Sequence, residues 1–499
     1  MKVLFAASEC APFVKVGGLG DVIGSLPSAL IKEGIDARAV IPFYRVVSPL
    51  DFNLVPVMEF EVGFRNKRYP VTAYLSYHPD NYDFKVYLLK NEAFLDEGGE
   101  TAFANTQEEI RTYAFFSQAV VSFVAKLAHW SLITKKDESW VPQIIHCHDW
   151  HTGIIPQLIK VGYGLDPQLS KVKTVFTIHN LSYQGISHPQ IADALNRALK
   201  DAPLVRWDLQ DHNVDLLLQG IIGSDIVSTV SPSYAQEIKT EKFGEGLQEV
   251  LKSCEGKIRG ILNGIDYRSW DPKTDKNLKV NYSFSKETGV TQELLDARAE
   301  NKRALQEQLN LETDEASFLI GFIGRLDGAQ KGLDLMEGLI YKLPQMSLPI
   351  QLVILGTGDK LWEERLSRVG REQPNVSVNI KFDSALARLI FGGSDSITMP
   401  SSFEPCGLPQ MIGMRYGALP IVHAVGGLKD SVNDGVDGFK FNKYSVDDFV
   451  EAIKRSYYTY RDKPKWQRMM YSAMSRDFSW NRSAKEYVNL YREVMEKSN

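Results

Sequence analysis

Lys15, Gly17, Gly18, Gly20 and Asp21 fall in one seven-residue stretch, KVGGLGD, between the apolar run Val3–Ala7 and a helical apolar spacing at Val22, Leu26, Ala29 and Leu30. Glycines let other atoms approach the main chain closely. Unpaired amides at a helix start attract anions, phosphate above all, and Lys15 adds a cation. The stretch suits a phosphate, but it is neither common nucleotide loop. Gly18, Gly20 and Gly24 are spaced G-x-G-x-x-x-G, the second strand-like run ends at Pro42 without an acid, and no Gly-Lys-Ser/Thr follows.

IIHCHDWHTG places His146, His148, Asp149 and His151 within six residues. Metal ligation is the first idea. His148 and His151 could share a helical face, but no H-E-x-x-H pattern and no obvious distant ligand accompany them. The cluster closes the strand expected at Gln143–His146, where a substrate contact belongs, so His151 is read as a substrate contact and no metal is expected. His179 and Asn180 follow another strand end, and Asn263-Gly264 is a turn signal. Arg325 and Lys331 in GRLDGAQKG come just after the run Phe318–Ile323, placed for two cations that meet a diphosphate. In MPSSFEPCGLPQ, Glu404 follows the run Ser396–Met399, and Gly407-Leu408 opens a helix.

The elements that must hold these residues alternate strand and helix. Strands are expected at Val3–Ala7, Ala37–Ile41, Gln143–His146, Thr174–Ile178, Ile226–Val230, Phe318–Ile323, Gln351–Leu355, Ser396–Met399 and Leu419–Val422. That is an α/β class with doubly wound parallel sheets. The 499 residues exceed one core. The motif GGLGDV at 17–22 is echoed by GGLKDSV at 426–432, which suggests two similar domains, each aiming a helix start at a shared cleft. The charged stretch Asn277–Asp314 reads as surface helix and loop. A net charge of −5 with 24% charged residues gives no sign of a nucleic-acid or membrane-surface partner. The four cysteines form no C-x-x-C pair and suit a reducing compartment. No apolar run is long enough to span a membrane, and no leader peptide is expected.

Strand-end cations, two glycine turns and acids on paired domains are what a nucleotide-diphosphate sugar requires. The pyrophosphate must be neutralised and the sugar hydroxyls held. The chain has no Asp-x-Asp metal-chelating pair of the kind used by the other sugar-transfer architecture. Arg, Lys and helix ends would then serve as the electrophilic clamp.

KVGGLGDV, HCHDWHTG, TIHNLSYQG, LNGIDYRSW, QKGLDL and SSFEPCGL occur here in an order that resembles the bacterial glycogen synthases and plant starch synthases, over nearly the whole chain. The resemblance implies the GT-B architecture. Residues 1–255 would form an N-terminal Rossmann-like domain on the acceptor side, and 256–476 a C-terminal domain that binds the nucleotide sugar. A helix in 477–499 would return to the first domain. The implied enzyme is a retaining glucosyltransferase that moves glucose from ADP-glucose to the non-reducing end of an α-1,4-glucan without a metal or other cofactor. It would be cytoplasmic, or stromal if a mature plastid protein.

The resemblance also implies roles. Lys15 and the amides of Gly17 and Gly18 would contact donor phosphates, and Asp21 would order that loop or meet the sugar. His151 would reach the glucose 6-hydroxyl or stabilise the developing cation. Asn180 and Asn263 would contact substrate. Arg325 and Lys331 would neutralise the diphosphate. Glu404, with Cys406, Gly407 and Leu408 after it, would bind the sugar and face the anomeric carbon. Phe382 would stack on adenine, and Gly426 and Gly427 would cap the distal phosphate. Some positions depart from the family pattern. The Arg325-to-Lys331 spacing is one residue longer. Val425 replaces a threonine, Leu218 a lysine, and the stretch 92–109 lacks the family's usual aromatic and basic residues. A weakly active or non-catalytic glucan-binding relative, and an enzyme using UDP-glucose, are the alternatives. A glucan phosphorylase is not favoured, because its cofactor-lysine motif is missing.

Overall fold

The computed structural model describes residues 1–95, 106–134, 140–195, 199 and 201–496. Of the departing stretch 92–109, residues 96–105 lie outside the described set. The chain divides into two compact units, Met1–Gly264 with Trp480–Asn499, and Ile265–Ser479.

The first unit is built on a nine-stranded sheet. Its strands are β1 (Lys2–Ala6), β2 (Asp36–Pro42), β3 (Val55–Phe64), β4 (Lys67–His78), β5 (Asn81–Lys90), β6 (Ile144–His148), β7 (Lys173–Ile178), β10 (Ile226–Thr229) and β11 (Ile258–Gly260), with a separate two-stranded ribbon of β8 (Ile186–Ser187) and β9 (Val214–Asp215). The sheet order is β11-β10-β7-β6-β1-β2-β5-β4-β3, parallel from β11 through β5 and antiparallel at β4 and β3. Successive residues of β1 serve opposite faces. Val3 and Phe5 join a core under the helices Gly18–Lys32 and Trp480–Glu496, while Leu4 and Ala6 join the core under the helix Gln107–Thr134. Burial on both faces explains why β1 reads as a continuous apolar run. The C-terminal helix is tied in by its Tyr491 hydroxyl, 2.8 Å from Nδ1 of the buried His146.

The second unit has a six-stranded, all-parallel sheet of β12 (Phe318–Ile323), β13 (Ile350–Gly356), β14 (Val376–Ile380), β15 (Ser396–Met399), β16 (Leu419–His423) and β17 (Phe439–Phe441), in the order β14-β13-β12-β15-β16-β17. Both sheets therefore reverse direction of build once near their middle, between β1 and β6 in the first and between β12 and β15 in the second. Ligands of such sheets bind outside the carboxyl ends of the strands at that reversal.

Several expectations need correction. The first unit runs to Gly264 rather than 255, because β11 at Ile258–Gly260 still pairs with β10. The stretch Asn277–Asp314 is not all surface. Its helix Gln292–Gln308 turns Arg298, Asn301, Lys302 and Gln306 inward, where backbone carbonyls and Asp395 receive them. Polar residues facing inward hide from a hydrophobic-period reading. The first glycine-loop helix begins at Gly18 instead of after Asp21. All four cysteines are free.

Candidate active site

In the first unit, the chain leaves β1 and buries Glu9. The Glu9 Oε2 atom accepts from the amides of Val16, at 2.5 Å, and Gly17, at 3.0 Å. Burial raises this carboxyl above its ordinary range, and the loop amides pull the other way. The Gly17 amide, expected to be open to a phosphate, is thus engaged by a carboxylate inside the chain. A Cβ on Gly20 would lie 3.0 Å from Glu9 Oε2, so the glycine makes the fit possible. Lys15 and Asp21 form an ion pair of 2.7 Å across the turn, half-exposed on the lysine side. Glu9 carried no motif signal, but an acid two residues beyond the apolar run is the clue available in the sequence.

Beside β1 lies β6, which runs through His148, two residues further than expected. His148 is thus a strand residue, and Trp150–Thr152 is a single 3-10 turn, so His148 and His151 share no helix face. His148 Nδ1 meets His179 Nε2 at 2.9 Å, and His146 is bound by Tyr491 and Thr177. Burial holds His146 and His148 neutral and depresses His179 to about 3. Among the described residues no group of three or more His, Cys, Asp and Glu could hold a metal ion. Asp149 joins the two strand ends: its Oδ1 accepts from the His179 amide at 2.7 Å, and burial raises its carboxyl to about 7. Its backbone stands at φ 53°, ψ −176°, a region costly for any residue with a Cβ. That strain turns the chain so that His151 stacks on Trp150, centroids 4.2 Å apart, with Tyr113 edge-on. Asn180 follows on the same turn, and Asn263 is buried after β11, with no hydrogen-bond partner for its Oδ1 among the described residues.

In the second unit, Lys331 Nζ and Glu404 Oε2 form an ion pair of 2.7 Å. Glu404 is 5% exposed and also accepts from Ser401 Oγ at 3.0 Å. Arg325 follows β12 and Glu404 follows β15, the two strands that flank the reversal. The Glu404 carbonyl accepts from the Gly427 amide at 3.0 Å. A Cβ on Gly427 would collide with the Cys406 backbone, which explains the glycine. Gln410, fully buried, donates to the carbonyls of Cys406 at 3.1 Å and Gly407 at 2.9 Å. Gly407 has φ +74° and precedes Leu408, the cap of the helix Pro409–Arg415. Gly426 opens a helix of six residues capped by the buried Val425, which lacks a hydroxyl to close it. Phe382, just beyond β14, is 90% exposed. Leu218 is buried in the apolar core of the first unit.

Within each unit, Lys15 and His151 follow β1 and β6, and Arg325, Lys331 and Glu404 follow β12 and β15, the strands that flank the reversals, whereas Asn263 follows the edge strand β11, Phe382 the edge strand β14, and Gly426 and Gly427 follow β16. The starch synthase catalytic domain family matches residues 2–253, and the glycosyl transferases group 1 family matches residues 317–458. A glycogen synthase of Geotalea daltonii is 40% identical, aligned over 100% of this chain and 99% of its own, and one of Clostridium beijerinckii is 38% identical over 99% of both. This chain belongs to the glycogen and starch synthase family. A solved family member, the catalytic domain of starch synthase IV from Arabidopsis thaliana bound to ADP and acarbose, superposes with a TM-score of 0.86 at 33% identity over 99% of both chains. The fold is GT-B, and this synthase is a glucosyltransferase. No helix among the described residues is long and apolar enough to cross a membrane.

Proposed function

We propose that this synthase transfers glucose from ADP-glucose to the 4-hydroxyl at the non-reducing end of an α-1,4-glucan, with retention of anomeric configuration. The observation that carries the reading is the Lys331–Glu404 pair, with Arg325 six residues upstream of Lys331, at the reversal of the second sheet. In the reaction, the bond from the anomeric carbon to the β-phosphate oxygen breaks. The acceptor oxygen attacks the same face, and its proton passes to the leaving phosphate. Charge develops on the diphosphate and on the anomeric carbon. Lys331 and Arg325 stabilise the first, preorganised cations being the most effective device for this. Glu404 holds the sugar hydroxyls and offers a carboxylate to the second. With cations serving as the clamp, the chemistry is assigned no metal.

Lys15 is proposed to add a cation near the phosphates, and Asp21 to hold Lys15 in place. Glu9 shapes the loop from within. His151, Asn180 and Asn263 are proposed as glucose contacts, and the exposed face of Phe382 as the adenine platform. The ADP in the Arabidopsis structure supports the donor, and the glycogen synthases among the relatives support the acceptor. A cytoplasmic location fits relatives from bacteria. The test is transfer of labelled glucose into glycogen from ADP-glucose and, separately, UDP-glucose, with Glu404→Ala as control. Transfer from ADP-glucose that the control abolishes is expected. Transfer from UDP-glucose alone would overturn the donor.

A further inference from the structure

The loop from Arg325 to Lys331 is organised by one residue that none of the roles above uses, Asp327. Its Oδ1 accepts from the amides of Ala329 at 3.0 Å and Gln330 at 3.3 Å, and its carbonyl accepts from the Lys331 amide at 2.9 Å. Its other oxygen, Oδ2, lies 3.3 Å from the Arg325 guanidinium. Gln330 Oε1 accepts from the same guanidinium at 3.4 Å. Both contacts are longer than the roughly 2.7–2.9 Å of a strong charge-assisted bond. The Arg325 and Asp327 side chains are 43% and 26% exposed, so water screens their attraction. Arg325 is turned onto its own loop, and loosely.

The backbone beneath does not yield. The Leu326 carbonyl accepts from the Asp359 amide at 2.8 Å, and Leu326 bridges to Gly358. Gly328 lies so close to Trp362 that an added Cβ would collide with the indole nitrogen. Trp362 is held under the Arg365 guanidinium, 4.2 Å from the ring centroid, and Arg365 is itself paired with Glu337. Asp327 is therefore fixed beside Arg325 whatever the guanidinium binds.

We infer that Asp327 is a resident counter-ion of Arg325: it parks the guanidinium while the diphosphate is absent and competes with the diphosphate when it is present, weakening the hold on the ADP product. The inference rests on Arg325 being a diphosphate contact. A carboxylate fixed beside the clamp lowers the positive potential there, and an incoming diphosphate must displace it.

Asp327→Asn separates the two jobs of this side chain. The amide oxygen still caps the Ala329 and Gln330 amides, while the negative charge facing Arg325 is gone. ADP binding is measured by calorimetry on wild type, Asp327→Asn, Arg325→Ala and the double variant. Asp327→Asn should bind ADP about two- to five-fold tighter, the scale of an exposed ion pair, with ADP inhibition of transfer strengthened in step. Asp327→Ser, which also keeps a capping oxygen without charge, should do the same. In the Arg325→Ala background the effect of Asp327→Asn should vanish. Wild type that binds ADP while Asp327→Asn binds it no tighter, or a gain that persists without Arg325, would overturn the inference alone. Wild type that binds no ADP would overturn the donor reading and the inference with it.

Discussion

Lys331 and Glu404 stand 73 residues apart in the chain, yet their side chains meet at 2.7 Å with only 16% and 6% of their surface exposed. Each neutralises the other in a site that water barely reaches, where charge–charge interactions are stronger than at the surface. Removing one partner leaves the other both less constrained and uncompensated.

Glu404→Gln keeps the shape and one accepting oxygen, where the carboxylate takes Ser401 Oγ on Oε2 and Gln330 Nε2, at 3.5 Å, on Oε1, but discards the charge. Initial rates of glucose transfer should fall on the order of 100-fold or more in kcat, the scale of a lost preorganised charge contact. The melting temperature should fall as well, because Lys331 loses its counter-ion, so kcat is read on protein shown to be folded at the assay temperature. A variant with wild-type kcat would show that the carboxylate is not needed at the reacting centre.

Lys331→Ala removes a clamp cation and leaves Glu404 buried without its partner. The expectation is a loss on the order of 100-fold in kcat/KM for the donor, with destabilisation in addition, because a buried charge loses its counter-ion. Steady-state kinetics with urea unfolding on the same sample separates the two.

Gly427→Ala tests the backbone contact that joins the two turns of the second unit. The new Cβ would meet the Cys406 backbone, which has no flexible end to move aside. Either the Glu404-to-Gly407 turn or the helix Gly426–Ser431 must shift, and a displacement of about 1 Å in an active site is enough to cost on the order of 100-fold. Activity should therefore fall more than stability, read by transfer rate against thermal melting.

Asp208 and Asp215 give a pH signature unrelated to catalysis. Burial raises Asp208 to about 6 and Asp215 to about 7, from an ordinary 3.8. The folded chain thus holds these protons to higher pH than the unfolded chain. Their contribution is fully present below about pH 4 and is lost as pH rises toward 7. Asp215 Oδ1 caps the Leu218 amide at 2.9 Å, a job asparagine also performs. Urea midpoints measured from pH 4 to 8 should decline less for Asp215→Asn than for wild type. Parallel curves would remove Asp215 from the account.

The strands at both sheet reversals were legible in the sequence because they are buried on both faces and read as unbroken apolar runs. The placement of Arg325, Lys331 and Glu404 after β12 and β15 was legible too, since each follows such a run. The antiparallel strands β3 and β4 were not, because one face of each meets water and Pro56, Glu59 and Glu61 break the apolar pattern. Glu9 and Gln410 carry no motif signal, and Asp149 reads in the sequence only as part of a possible metal cluster. Each acts by binding backbone from inside the fold, and such a role depends on which amides and carbonyls the tertiary structure brings near. His179 drew notice as a strand-end residue, yet its partner His148 became visible only when β6 and β7 were paired.

The most direct test is to supply ADP-glucose and a maltooligosaccharide to wild type and Glu404→Gln, and follow the product by proton NMR. The account predicts chain extension with new α-1,4 anomeric signals in wild type and essentially none in the variant. Extension with β-configured linkages, or equal extension by Glu404→Gln, would contradict it.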